Sequence, residues 1–434
     1  MRTDIWRNWG RTVAVRPARV ERPGTVDEVV ALVRRAAAEG MAVKAVGAGH
    51  SFSAIAEADG VQVSLDALSG LLAVDRGTRE VTLGAGTRLR DVPALLAPYG
   101  LAMENLGDID AQSVAGAIST GTHGTGAGFR GIAAQVVGAV LVTGTGEILR
   151  VGRDGDPALL PAVALGLGAL GILVEVTIRC VDAFDLSAVE RPEPLDAVLG
   201  SLSERVAASD HFEFFWFPHT DRALTKDNAR VPLGEGRSPL SPARRWLDDD
   251  LLANDMLRAA CVVGRTIPAT VPWINRSIVR LSGDRAYSDL STHVFTTQRR
   301  VRFTEMEYAI PADLVLDAFA AVRRAISRSG WRISFPVEVR FAAADDLWLS
   351  TAHGRATAYI AVHRFGGEDP EPYFRTVESI MLAYGGRPHW GKMHWREAGD
   401  LAPVYPRFED FGRLRAQLDP DGLFLNPYLR RVLG

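Results

Sequence analysis

Gly47-Ala48-Gly49-His50-Ser51 follows an apolar run over residues 41–46. Two glycines let backbone approach a ligand closely, and the exit from a strand into a loop leaves amide N–H groups free to hold an anion. His50 would then sit beside whatever carries that anion. A second loop of the same texture runs from Ser113-Val114-Ala115-Gly116 into Thr120-Gly121-Thr122-His123-Gly124-Thr125-Gly126. Two such loops within one domain's length predict a phosphate-bearing cofactor gripped from two sides.

Further along, residues 333–341 alternate with a period of two. Ile333, Phe335, Val337, Val339 and Phe341 fall on one apolar face, and Glu338 and Arg340 project from the other. Residues 358–365 read as the next strand, with Tyr359, Ala361 and His363 on one side. If the two strands pair, Glu338, Arg340 and His363 share a surface; otherwise they form a solvated face with an ordinary ion pair. His389-Trp390-Gly391-Lys392 is a third cluster. The only lysines are Lys44, Lys226 and Lys392, so Lys392 stands out as a compact ammonium in an arginine-rich chain. The plainer reading is a Trp-anchored loop with a surface lysine. A metal site at His389 and His394 lacks a third ligand at suitable spacing, and no metal is expected. His211, His219, His293 and His353 read as structural.

Several familiar motifs fail. The third glycine of a dinucleotide fingerprint is missing after Gly49. The loop over 121–128 is not followed by Lys-Ser/Thr, and no Gly-x-Ser-x-Gly elbow occurs.

The elements that must position these residues differ between the two parts of the chain. Residues 1–181 read as short strands and helices of an α+β cofactor domain. Thr25-x-x-Glu28 has the form of a capping box opening a helix that ends at Gly40. Strands are expected at 42–46, 61–65, 71–75, 81–84, 136–143, 147–151 and 171–179, with a short helix at 91–97. From 182 to 410 the pattern predicts an antiparallel sheet with helices on one side. Its parts are a helix at 195–208, an aromatic strand at 211–217, a strand at 300–308, and helices at 312–329 and 372–384. Residues 230–250 read as a surface loop or lid.

Composition bounds the class. A chain of 434 residues exceeds one hydrophobic core's usual reach, so more than one domain is expected. Hydrophobic content of 47% and charged content of 23% are those of a soluble globular protein. A net charge of −3 gives no reason to expect nucleic acid or an anionic surface as a partner. Cys180 and Cys261 are too few for a disulfide framework, so a reducing, cytoplasmic compartment is expected. No run approaches the roughly 20 apolar residues of a membrane span.

Taken in order, these motifs resemble one family along essentially the whole chain. They are Val46 to Ser51, Glu104-Asn105-Leu106-Gly107-Asp108-Ile109, Ser113 to Gly116 and Thr120 to Thr125. They continue with Arg302 to Tyr308, Glu338-Val339-Arg340, Pro388 to Lys392 and Phe424-Leu425-Asn426. The chain is similar to aldonolactone oxidoreductases of the vanillyl-alcohol-oxidase superfamily, with the nearest likeness to bacterial gulonolactone-type enzymes. The family also includes D-arabinono-1,4-lactone oxidases and, more distantly, alditol oxidases.

The resemblance implies a PCMH-type FAD-binding domain over 1–181 and an antiparallel substrate-binding cap over 182–410. A carboxy-terminal segment, 411–434, would pack back near the FAD domain. FAD would be held by Ala45, Val46, Gly47, Ala48, Gly49, His50, Ser51, Gly107, Ser113, Gly116, Thr120, Gly121, Thr122, His123 and Ile172, with a covalent link through His50. Glu338 and Arg340 would bind and polarise the substrate hydroxyl, with His363 and Asn105 as further polar contacts. Lys392 would face the flavin edge where negative charge appears. The substrate would be a sugar 1,4-lactone oxidised at C2 to an ascorbate-type product, with O2 or another acceptor taking the electrons. Gly107 would leave room for oxygen beside the flavin. The alternative within flavoenzymes is an alditol oxidase acting on a terminal CH2OH. An enolpyruvyl-sugar reductase suits the Glu338, Arg340 and Lys392 set poorly.

Overall fold

Helix Val26–Ala38 illustrates how the sequence builds its elements. The Thr25 hydroxyl accepts the Glu28 N–H at 3.2 Å, so the cap forms as its spacing predicts. The reciprocal bond does not: the Glu28 carboxylate accepts the Gly24 N–H instead, at 2.6 Å. Val29, Leu32, Val33 and Ala36 lie on one stripe and are buried. Gly40, at φ +64°, turns the chain into strand Val43–Ala45.

The computed structural model describes residues 3–434; Met1 and Arg2, which begin the amino-terminal stretch, lie outside it. Strands Arg19–Glu21, Val61–Val63 and Val43–Ala45 form a parallel sheet with Val61–Val63 in the centre. Beside it runs a five-stranded antiparallel sheet in the order Ile148–Gly152, Val136–Val142, Ile172–Arg179, Glu80–Gly84, Leu71–Asp75. These strands share one hydrophobic core with the carboxy-terminal residues Leu423, Phe424, Leu425, Leu429 and Val432. The Val43 N–H donates to the Leu423 carbonyl at 2.8 Å. Asn426 Nδ2 reaches the carbonyls of Ala54, Ile55 and Glu57 at 2.9, 3.1 and 3.0 Å. Leu349, Trp390, Leu401 and Tyr405 join the same core, so the return begins before residue 411.

The rest of the chain is built on one eight-stranded antiparallel sheet. Its order is Arg285–Leu290, Phe184–Pro194, Arg222–Pro232, His211–Trp216, Val337–Ala342, Thr357–Phe365, Phe303–Pro311, Arg387–Pro388. One face carries Phe212, Phe214, Val337, Val339, Phe341, Ile360 and Val362 against helices Val315–Ser329 and Glu371–Ala383. Period-two alternation sends the polar residues of the same strands to the other face.

Three local expectations are corrected. The strand over 333–341 starts only at Val337, because Pro336 has no N–H for the ladder. The Ile333 carbonyl is taken instead by Asn275 Nδ2 at 2.9 Å. The helix over 195–208 is two helices, Leu195–Gly200 and Leu202–Ala208, broken at Ser201. Residues 230–250 are not a lid loop. Strand Arg222–Pro232 runs into them, and after a short turn the chain forms helices Pro242–Arg245, Trp246–Met256 (with wide, π-type turns) and Leu257–Thr266. Among the described residues no helix is long and apolar enough to cross a membrane. Cys180 and Cys261 are free and buried.

Candidate active site

The first glycine loop lines a cleft. Ala45, Val46, Gly47, Ala48, Gly49, His50 and Ser51 form one wall, and Ser113, Gly116 and Thr120 face them. Among the described residues, the backbone N–H groups of Gly47, Ala48, Gly49, His50 and Ser51 have no acceptor. Five consecutive unpaired amides beside a cavity are a nest for a diphosphate. Glycine suits both positions: a Cβ on Gly47 would stand 2.6 Å from Ser113 Oγ and displace it, and Gly49 has φ +71°. One end of the cleft is apolar, with Leu141, Val163, Leu170 and Leu173, and suits a flat ring. The residues therefore fit an elongated dinucleotide.

His50 closes the other end. Its ring stacks on Trp9 at 5.5 Å and 21°. Burial, with Lys392 and Arg88 adding, pushes its pKa down to about 4, so the imidazole is neutral at pH 7 with a free lone pair. Lys44, on the cleft wall, is pushed down to about 7 by burial, with Asp419 opposing. Its ammonium is within reach of the carbonyls of Gly168 at 3.2 Å, Phe424 at 3.4 Å and Leu167 at 3.5 Å.

Other expected cofactor residues lie off the cleft. Gly121 caps the helix Val114–Thr120 at φ +78°, and Thr122 bonds Gln112 Nε2 at 3.0 Å. Ile172 points into the core, while its neighbours Gly171 and Leu173 line the cavity. A Cβ on Gly107 would meet the His123 carbonyl and Thr122 Cγ2, both at 3.1 Å. On the side where a Cβ would point, Gly107 is therefore closely packed. Asn105 spends its amide internally, donating to the Thr125 carbonyl at 3.2 Å and accepting the Leu106 N–H at 3.0 Å. It braces the turn.

That cluster covers the polar face of the eight-stranded sheet. Register pairs Arg340 with Tyr359 and Glu338 with Ala361, which brings Glu338, Arg340 and His363 onto one surface. Arg340 Nε lies 2.6 Å from Glu213 Oε2 and 2.5 Å from Glu338 Oε1. Burial pushes the Glu338 carboxyl up to about 8; Arg340 opposes this, and Glu213, Glu305 and Asp108 add to it. Lys392 Nζ is 2.5 Å from Glu305 Oε2. Burial alone would lower Lys392, but Glu305 and Glu307 hold its pKa above the usual lysine range. His363 donates from Nδ1 to the Pro336 carbonyl at 3.0 Å and is kept below its usual pKa chiefly by burial.

His123, Glu307 and His389 are buried with potential ligand atoms within 4.8 Å of one another. His123 Nδ1 donates to the Gly124 carbonyl at 2.8 Å, and its Nε2 meets Glu307 Oε1 at 3.3 Å. A carboxylate facing an imidazole nitrogen at that distance requires a proton between them. His389 Nδ1 accepts the Gly391 N–H at 3.0 Å, which leaves the neutral ring's proton on Nε2. The group reads as a hydrogen-bonded network in preference to a metal centre.

The cleft and the cluster meet. Rings run from His50 through Trp9 to Phe303, 5.2 Å away, and from Phe303 to His363, another 5.2 Å. The Phe52 N–H donates to the Gly391 carbonyl at 2.6 Å. Across the same junction the Gly126 N–H donates to the Phe341 carbonyl at 2.8 Å, and His123 stacks on Tyr359 at 3.6 Å. Asp108, Glu305 and Glu307 lie within the quoted motifs but were given no role there, and Glu213 and Arg299 lie outside them. Asp108 Oδ2 accepts from Arg299 Nε at 2.8 Å. Lone acids inside runs such as Phe212-Glu213-Phe214 were the available signal, since a buried carboxylate demands a cation.

Two family profiles match the chain: D-arabinono-1,4-lactone oxidase over residues 176–432 and an FAD binding domain over residues 17–152. An L-gulono-1,4-lactone dehydrogenase of Mycobacterium tuberculosis is 43% identical, with 100% of both chains covered. An L-gulonolactone oxidase of Bos taurus is 33% identical, with 98% of both covered. A crystal structure of cholesterol oxidase from B. sterolicum superposes with a TM-score of 0.82 at 17% identity, covering 99% of this chain and 96% of that one. This last likeness establishes the fold.

Proposed function

Because the chain belongs to the D-arabinono-1,4-lactone oxidase family and carries an FAD-binding domain, we propose that it oxidises a sugar 1,4-lactone of the L-gulono type at its C2 hydroxyl. The product would be a 2-keto lactone that enolises to an ascorbate-type compound. The observation that carries this reading is Arg340, fixed between Glu213 and Glu338 on the face that also bears His363. That face adjoins the wall of unpaired amides.

The amides of residues 47–51 would hold the FAD pyrophosphate, and the apolar end of the cleft would take its adenine. His50, neutral and without a hydrogen-bond partner among the described residues, is our proposed covalent attachment point for the flavin. When bound, the flavin supplies the two-electron acceptor for the substrate's carbinol hydride. The protein's work is to place that carbon and manage charge. Arg340 donates to the substrate oxygen, and the side chains of Glu213 and Glu338 keep the guanidinium in one orientation. His363, with Nδ1 committed to Pro336, offers an unprotonated Nε2 to receive the hydroxyl proton. Lys392, held as an ammonium by Glu305, provides positive charge at the junction. Asn105 acts as a brace. We place the protein in a reducing, cytoplasmic compartment, a reading supported by the free, buried Cys180 and Cys261.

The test mixes purified, anaerobic protein with L-gulono-1,4-lactone, D-arabinono-1,4-lactone or xylitol and follows visible absorbance. Bleaching by the lactones and not by xylitol is expected. Bleaching by xylitol alone would establish the alditol oxidase alternative. Readmitting air and assaying hydrogen peroxide then separates O2 from another electron acceptor.

A further inference from the structure

Glu305 stands directly opposite His363 in the pairing of strands Phe303–Pro311 and Thr357–Phe365. Opposed residues of an antiparallel pair put their side chains on one face, with Cβ atoms about 5 Å apart. The Glu305 carboxylate accordingly reaches the His363 ring: Oε1 lies 3.7 Å from Nε2, the nitrogen left free by the Pro336 bond. Its other oxygen, Oε2, takes the Lys392 ammonium at 2.5 Å. Backbone delivers that ammonium. The Met393 N–H donates to the Glu305 carbonyl at 2.9 Å and the His389 N–H to the Glu307 carbonyl at 3.0 Å, which ties residues 389–393 along the strand.

One buried carboxylate is thus shared between a fixed cation and a base. At 3.7 Å its oxygen is too far away to hydrogen-bond a neutral ring, yet close enough to favour a proton on Nε2. The Lys392 ammonium on the same carboxylate offsets that attraction. Burial depresses the His363 pKa most; Glu305 and the bond to Pro336 oppose it, and Lys392 adds to the depression. Glu307 lies on Glu305's own strand, and Glu338 and Arg340 share the face from the strand on the other side of His363. Phe303 and Phe335 close over the ring.

We propose that Glu305 is a positioning residue for proton transfer. Its carboxylate stabilises the imidazolium formed when His363 takes the substrate's hydroxyl proton, and Lys392 limits that pull so that the neutral ring is the resting form. The inference rests on His363 being the proton acceptor. In that step the substrate O–H bond breaks and an N–H bond forms at Nε2. The carbinol hydride carries its electron pair to the bound flavin, and the carbon–oxygen bond becomes double. The new cation then faces a carboxylate already in place.

The experiment follows titration of the His363 ring by NMR in the FAD-loaded protein, with His363→Gln identifying its signals. Glu305→Gln should move the titration to lower pH by about one pH unit, and Lys392→Met should move it to higher pH by a similar amount. A residue that merely supported the sheet would not give shifts of opposite sign. Flavin absorbance reports that each variant is folded and loaded. In Glu305→Gln the acidic limb of flavin reduction by lactone should move down with the titration. Titrations that stay put in both variants, or move the same way, would overturn the proposal. Opposite shifts with an unmoved reduction profile would support the pairing of Glu305 with His363 and remove His363 as the proton acceptor.

Discussion

His363 Nδ1 donates to the carbonyl oxygen of Pro336 at 3.0 Å. That bond fixes the tautomer: in the neutral ring the proton is on Nδ1, and Nε2 is an acceptor facing the charged cluster. Proline places the carbonyl there by ending the ladder at Val337, so the residue that truncates the strand also orients the proton acceptor.

His363→Ala should retain FAD and slow flavin reduction by lactone about 10²–10⁴-fold, the usual loss for a positioned base. In the wild type the reduction rate should fall as pH drops through the His363 pKa, which burial sets below the ordinary histidine value. Anaerobic rapid mixing across pH checks both. An unchanged rate in the variant would remove His363 from the mechanism.

Arg340→Lys should also keep the cofactor and lose reduction rate. Lysine cannot place a nitrogen between Glu213 and Glu338, where Arg340 Nε sits, and still offer terminal N–H groups to the substrate. A fall of about 10²–10³-fold is expected for a lost transition-state donor. The ratio of visible to protein absorbance measures retention alongside the rate. Equal rates would contradict the assignment.

Glu338 gives a pH signature in stability. Its carboxyl titrates near 4.5 in the unfolded chain and is pushed up to about 8 in the fold, chiefly by burial. Its contribution is complete below pH 4.5 and is lost as pH rises through about 8, because the folded state keeps a proton the unfolded chain has released. Thermal midpoints of wild type should therefore decline relative to Glu338→Gln across that window. Parallel curves would contradict the environment described for this carboxyl.

Lys44 has the opposite slope. Burial lowers it from 10.5 to about 7, so the unfolded chain holds the extra proton between those values and stability rises with pH there. Lys44→Met should flatten this rise in the pH dependence of the thermal midpoint. A slope equal to wild type would show that Lys44 keeps an ordinary pKa.

Gly47→Ala should fold and emerge colourless, because its Cβ would lie 2.6 Å from Ser113 Oγ across the cofactor cleft. Adding Ser113→Gly should restore part of the yellow colour. Full FAD content in the single variant would show that the loop does not need this close approach.

Much of the site was legible because strands alternate. Glu338 and Arg340 stand out against an apolar face, and His363 follows once the next strand is paired with theirs. The loop of residues 47–51 is equally local: glycine spacing after an apolar run implies free amides. What escaped depends on neighbours distant in sequence. Glu213 is buried among aromatics, and only the sheet order, which sets His211–Trp216 beside Val337–Ala342, explains it as the second partner of Arg340. Asn105 entered through the resemblance, and the bonds it makes to the Thr125 carbonyl and the Leu106 N–H depend on a turn that the sequence alone does not draw. The close approach of the His123 carbonyl and Thr122 Cγ2 to Gly107 is likewise set by chain that lies further along the sequence.

The central claim is tested most directly by anaerobic rapid mixing with L-gulono-1,4-lactone carrying protium or deuterium at C2. The account predicts that flavin absorbance bleaches with both and more slowly with deuterium. Absence of bleaching, or equal rates with the two isotopes when bond cleavage limits the reaction, would contradict it.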